Sequence, residues 1–233
     1  MTTLASQLIR FYRDLSAPTV PKGFGILHPQ PDAQVMKIVE TFFKKYYNDS
    51  RRRVLMLGIN PGRFGAGITG INFTAPRQLK NYCGIDHPWK DSSELSAEFI
   101  YELISLYGGA KKFYGDYFIS AMSPLGYVKD GKNVNYYDDK RLQTAVSPFI
   151  AQTLQQQLKM GFDTHTCICI GGEKNYKYLK NLNEKHAFFK NIVALPHPRF
   201  IMQYRRKNKQ AYLDEYLGVL KDAYKNISDK HVS

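Results

Sequence analysis

Residues 54–73 read VLMLGINPGRFGAGITGINF, and this stretch decides the fold. Its first residues are apolar without alternation, the pattern of a strand buried on both faces in the middle of a parallel sheet. Glycine then recurs at 58, 62, 65, 67 and 70, which brings bare backbone to the carboxyl end of that strand. Open α/β sheets hold ligands at that edge. Asn60 is a polar side chain delivered to the same place. The spacing is neither G-x-G-x-x-G nor the Gly-Lys-Ser/Thr of a Walker loop, so dinucleotide and nucleoside triphosphate cradles are set aside. A purely structural glycine turn stays open, although a loop this long that carries Asn60, Arg63, Phe64, Asn72 and Phe73 exceeds what a connection requires.

Further apolar runs repeat the strand pattern at 117–121, 166–170 and 192–195, separated by segments with helical spacing. Helices are expected over 33–47, 76–82, 172–182 and 207–224. Ser92 or Ser93 is expected to cap a helix carrying Leu95, Phe99, Ile100, Leu103 and Leu106, and Ser147-Pro148 to open another that runs to Lys159. Leu4, Leu8, Phe11 and Leu15 mark an amphipathic N-terminal helix. Alternating strands and helices predict a three-layer α/β/α sandwich with a central, mostly parallel sheet of about four strands. One domain spanning 1–233 is expected, with 1–50 as its helical N-terminal part. The stretch YVKDGKNVNYY at 127–137 reads as a polar and aromatic loop, and Arg51 to Arg53 as a solvated strand entry.

The 233 residues carry a net charge of +13 and a pI near 9.5, an excess that suits a polyanionic partner, most commonly nucleic acid. No run of 18 apolar residues is present, and the first residues lack the basic and apolar regions of a secretory signal. Cys83, Cys167 and Cys169 form neither a disulfide framework nor a cluster of four thiolates. A reducing cytoplasm and a monomer are the expected setting.

Because all strands of a parallel sheet end at one edge, the Asn60 loop and the loop at 194–199, ALPHPR, converge. Prolines on both sides stiffen the second loop and aim His197. Arg199, Arg205, Arg206, Lys207 and Lys209 follow it, as phosphate contacts or as a solvated helix start. An amide, an imidazole, an aromatic ring and cations, without a nucleophile–base pair, carboxylate pair or metal-ligand cluster, suit cleavage of a bond whose leaving group departs as an anion. An N-glycosidic bond to a pyrimidine is one: Asn60 holds water, His197 meets the charge on the base, and Phe73 stacks on a base swung out of the helix.

GINPGRFGAGITGINF resembles motif one of the single-strand-selective monofunctional uracil-DNA glycosylases, G-M-N-P-G-P-F-G-x-x-x-T-G-V-P-F. Gly58, Asn60, Pro61, Gly62, Phe64, Gly65, Thr69, Gly70 and Phe73 match, with Ile71 a conservative change. PHPR is similar to the second motif, H-P-S-P-R, in shortened form. SSELSAEF resembles the stretch before the family's central helix, and FISAMSPL its F-V-H-N-x-C-P-L strand. The resemblance implies a DNA glycosylase of base-excision repair that needs no cofactor or metal and leaves an abasic site. It implies that Asn60 positions water and His197 stabilises the departing base. By the same resemblance Gly62, Phe64 and Phe73 line the base pocket, and Arg199 sits near the loop that wedges into the flipped nucleotide's gap. The base-reading asparagine falls at Ala121 and its neighbouring histidine at Ser120. Ser120, Asn72, Asn135 or backbone groups are the candidates to replace it, and uracil, xanthine and hypoxanthine all stay open as substrates. The alternatives are a nucleic-acid-binding protein that has lost catalysis on the same fold, and an enzyme of small nucleosides. The charge disfavours the latter.

Overall fold

Four apolar runs become one parallel sheet. The computed structural model describes residues 2–228, so the outermost ends of the expected domain lie outside the described residues. Along the chain come α1 (Leu4–Arg13), β1 (Phe24–Leu27), α2 (Ala33–Tyr46), β2 (Val54–Gly58), α3 (Ala66–Thr69), α4 (Pro76–Asn81), α5 (Leu95–Tyr107) and α6 (Ala110–Asp116). Then follow β3 (Tyr117–Ala121), β4 (Gly126–Lys129), β5 (Lys132–Val134), α7 (Lys140–Leu158), β6 (Asp163–Cys169), α8 (Gly172–His186), β7 (Asn191–Ala194), α9 (Pro198–Tyr204), a 3-10 turn (Arg206–Asn208) and α10 (Lys209–Ser228).

The parallel sheet has the order β3-β2-β6-β7 and is flanked by helices, as expected. Every residue of β2 and β3 is buried, which is why their sequences show no polar alternation. β2 is followed by β3 on one side and lies against β6 on the other. The chain therefore switches direction between β2 and β6, and a crevice opens outside their carboxyl ends. The ladder runs on into the loops there: Met122 N–H donates to the Gly58 carbonyl, Ser123 N–H to that of Ile59, and Ile170 N–H to that of Leu57.

A second, antiparallel sheet of order β1-β4-β5 stands beside this edge. Here the expected loop at 127–137 is instead largely a hairpin. Asp130 and Gly131 both take positive φ, 48° and 69°, the twist that a two-residue hairpin turn demands. Gly126 lets β4 approach motif one, since a Cβ there would strike the Pro61 carbonyl.

Several helix boundaries also differ from expectation. Asp139 caps α7 nine residues before Pro148, which the helix carries in its interior. Glu94 rather than a serine stands at the N-cap of α5, because Ser93 Oγ accepts a hydrogen from Gln78 Nε2 at 2.8 Å. The terminal helical segment is divided into α9, the 3-10 turn and α10.

Arg53 is not solvated. Its side chain has no exposed surface; Nη2 meets Asp49 Oδ2 at 2.9 Å, Nε meets the Tyr114 carbonyl at 3.3 Å, and the guanidinium lies over the Tyr47 ring. Those hydrogen bonds hold the Asp49 carboxyl well below the usual carboxylate range. Arg53 thus pins the entry of β2 to α2 and α6. Arg53→Met leaves the Tyr114 carbonyl without this donor and Asp49 with Arg51 alone, and is expected to lower unfolding stability by about 3 kcal/mol. Urea denaturation reads this directly, and an unchanged midpoint would show the cluster to be dispensable.

Candidate active site

The loops after β2, β3, β6 and β7 enclose a cavity of about 1010 Å³. Asn60, Gly62, Asn72, Phe73, His197 and Arg199 all line it, so motif one and the proline-flanked histidine do converge. Ala121 and Asn135 lie on the same wall system.

Asn60 is tied into the hairpin. Its Oδ1 accepts the Tyr136 N–H at 3.0 Å, while Nδ2 donates to the Val134 and Pro61 carbonyls, each at 3.3 Å. The amide orientation is therefore set by backbone. One lone pair of Oδ1 remains available to a water.

His197 is the N-cap of α9, and Pro198 occupies the first helical turn. Its Nδ1 accepts the Arg199 N–H at 3.0 Å, so the neutral ring carries its proton on Nε2. Burial, helped by the nearby Arg199 charge, lowers its pKa from 6.5 to about 4. The site thus holds a neutral imidazole donor. Phe73 stands beside it with ring centroids 5.8 Å apart and a backbone φ of 54°. The ring lies directly on β2: a Cβ on Gly58 would come within 2.6 Å of it. Glycine at 58 is required because the aromatic wall rests on that backbone.

Two expected pocket residues lie elsewhere. Ser120 is fully buried beneath the wall, and its Oγ donates to Gln157 Oε1 at 2.6 Å. Successive strand side chains point to opposite faces, so Ala121 meets the cavity and Ser120 does not. Phe64 is 54% exposed, off the cavity wall, with the Arg63 guanidinium 5.0 Å above its ring. Arg199, Arg205, Arg206 and Lys207 are exposed, as a polyanion contact requires. Lys209 instead pairs with Glu102 at 2.6 Å.

Other residues join the site without having been singled out. Glu94 turns its carboxyl towards the glycine loop, 3.7 Å from where a Cβ on Gly62 would be. Burial raises its pKa, opposed by Arg199. Phe200 and Tyr204 stand exposed on α9 at the cavity rim, and Arg205 lies over Phe200 at 5.4 Å. The hairpin supplies Asn133, and its Asp130-Gly131 turn is the sequence signal that locates it. Among the described residues, no three His, Cys, Asp or Glu side chains cluster as metal ligands do.

The fold is an open α/β one with an amide and a neutral imidazole at one sheet edge, and known proteins share it. The family model of the uracil DNA glycosylase superfamily matches residues 44–221. The crystal structure of wild-type SMUG2 from Pedobacter heparinus is 48% identical and superposes with a TM-score of 0.92, covering 95% of this chain and 98% of that one. No curated protein matches the chain. The chain belongs to the uracil DNA glycosylase superfamily, on its SMUG-type side. It is accordingly a monofunctional DNA glycosylase, a hydrolase of N-glycosyl bonds that removes uracil in base-excision repair.

The histidine geometry sets a pH dependence of stability. Below pH 6.5 the unfolded chain protonates this histidine, while the folded chain keeps it neutral down to about 4. The unfolded state then binds more protons, so stability falls as pH drops through that interval. His197→Asn keeps a side-chain acceptor for the helix cap and is expected to flatten the decline. Melting temperatures measured between pH 7 and pH 4 test this, and parallel curves for both proteins would contradict it.

Proposed function

We propose that a flipped base enters the cavity with Phe73 stacked on its face, His197 at its departing oxygen and Asn60 below the sugar carbon. Water held by Asn60 Oδ1 adds its oxygen to C1′. The bond from C1′ to the base nitrogen breaks, and its electron pair leaves with the base. The charge spreads to the base carbonyl oxygen, where the His197 Nε2–H donates a hydrogen bond. The anion then takes up the proton that the attacking water gives up. The observation that carries this assignment is the helix N–H on His197 Nδ1, which keeps the proton on the opposite nitrogen.

The neutral Nε2–H donates this hydrogen bond while keeping its proton, so the base leaves as the anion. Gly62 leaves the mouth of motif one open to the sugar. Arg199, Arg205, Arg206 and Lys207 contact phosphates on either side of the flipped nucleotide, with Phe200 and Tyr204 beside them at the cavity rim. The protein acts as a one-domain monomer on DNA in a reducing cytoplasm, a setting in keeping with three buried free cysteines. No described helix is long and apolar enough to cross a membrane.

Single-turnover kinetics on uracil-containing DNA test these roles. Asn60→Ala is expected to lose orders of magnitude in rate with DNA affinity little changed. His197→Ala is expected to lose about two to three powers of ten on uracil, and less on 5-fluorouracil, whose anion needs less help. Equal slowing on both bases would take His197 away from the leaving group. Neutralising the four rim cations together is expected to flatten the salt dependence of DNA binding by about three in the log–log slope. A slope unchanged from wild type would move the phosphate contacts elsewhere.

A further inference from the structure

Ala121 closes its part of the cavity wall with a methyl group, so the polar edge of a bound base needs another partner. We propose that Asn72 reads that edge, and that the buried Tyr12 hydroxyl behind it sets which way its amide faces. This rests on the glycosylase reading above and assigns the specificity determinant of the same site.

Asn72 is 9% exposed, and it lines the cavity next to Phe73. Its Nδ2 donates to the Tyr12 hydroxyl at 3.5 Å, and its Oδ1 takes no hydrogen from the protein among the described residues. The amide thus turns its nitrogen to the buried Tyr12 hydroxyl, which accepts from it.

In that orientation one Nδ2 hydrogen is used by Tyr12. The other lies beside Oδ1 and forms a free acceptor–donor edge. Its complement is a ring N–H next to an exocyclic carbonyl. Uracil offers this at N3 and O4, and hypoxanthine and xanthine offer the same pair at N1 and O6. Cytosine presents the pair reversed, with an accepting N3 and a donating N4 amino group. Binding it would require the amide to turn over and give up the bond from Nδ2 to the Tyr12 hydroxyl. Tyr12 is thus a positioning residue, and the lactam edge left by deamination is what the site selects.

The test compares single-turnover release of uracil and of 3-methyluracil, in which a methyl group replaces the N3 hydrogen. Rates are taken per folded protein, judged by circular-dichroism melting. Wild type is expected to prefer uracil, and Asn72→Ala to slow uracil on the order of 10- to 100-fold, the worth of a bidentate contact to a base edge. The same variant should leave the 3-methyluracil rate within about threefold, so that the preference collapses. Tyr12→Phe keeps Asn72 but frees its amide, and it should narrow the preference as well. Equal slowing of both substrates by Asn72→Ala would make the residue merely structural, and an unchanged uracil rate would place base reading elsewhere. Either result overturns the proposal. A wild-type protein that releases neither base would instead remove the glycosylase reading, and this proposal with it.

Discussion

Tyr136 is gripped at both ends, and the site depends on that grip. Its backbone N–H donates to Asn60 Oδ1 at 3.0 Å, and its hydroxyl donates to Asn175 Oδ1 at 2.8 Å. Asn175, fully buried in α8, returns Nδ2 to the Gly58 carbonyl at 3.2 Å. A closed circuit thus runs from the end of β2 through the hairpin and α8 back to β2. Buried polar networks of this kind are stabilising only when every member is satisfied, and they then hold one geometry. Together with the Arg63 N–H on Asn133 Oδ1 at 3.2 Å and the Ser123–Tyr127 hydroxyl contact at 2.8 Å, the circuit fixes the antiparallel sheet to the carboxyl edge of the parallel one. Without the circuit Asn60, the hinge between them, would lose the orientation that aims it.

Electrostatics divides the cavity from its rim. Inside, burial keeps His197 neutral and pushes Glu94 up, so the floor of the site carries less charge than its residue types suggest. Outside, Arg199, Arg205, Arg206 and Lys207 remain in solvent. On the proposed reading, such an arrangement collects a polyanion at long range while leaving the reacting bond in a low-dielectric space. There a single hydrogen bond to a developing charge counts for more than it would in water.

The parallel sheet was legible because burial on both faces leaves unbroken apolar runs such as VLMLG and YFISA, which a helix-or-strand reading separates by length. The hairpin was not, since its strands pair at the surface and carry lysines and asparagines in place of alternation. Its one strong signal, Asp130-Gly131, sits between polar flanks. Arg53 was misread because charge alone does not reveal a partner four residues earlier, and Asp49 is that partner. At the site, Asn60, Phe73 and His197 were readable from glycine and proline punctuation. Ser120 was placed on the wrong face because one step along a strand reverses a side chain, and no feature of FISA marks which face meets the cavity. Phe64 matched its motif position, yet its ring stands in solvent beside the Arg63 guanidinium.

The central claim is that Asn60 is both the clamp of the hairpin and the residue that places water. Hydrogen–deuterium exchange over residues 132–138, compared between wild type and Asn60→Ala, tests it most directly. The account predicts faster exchange in that segment, the Tyr136 amide above all, with the strands of the parallel sheet unchanged. Unchanged protection across 132–138 would contradict it and leave the hairpin held by other means.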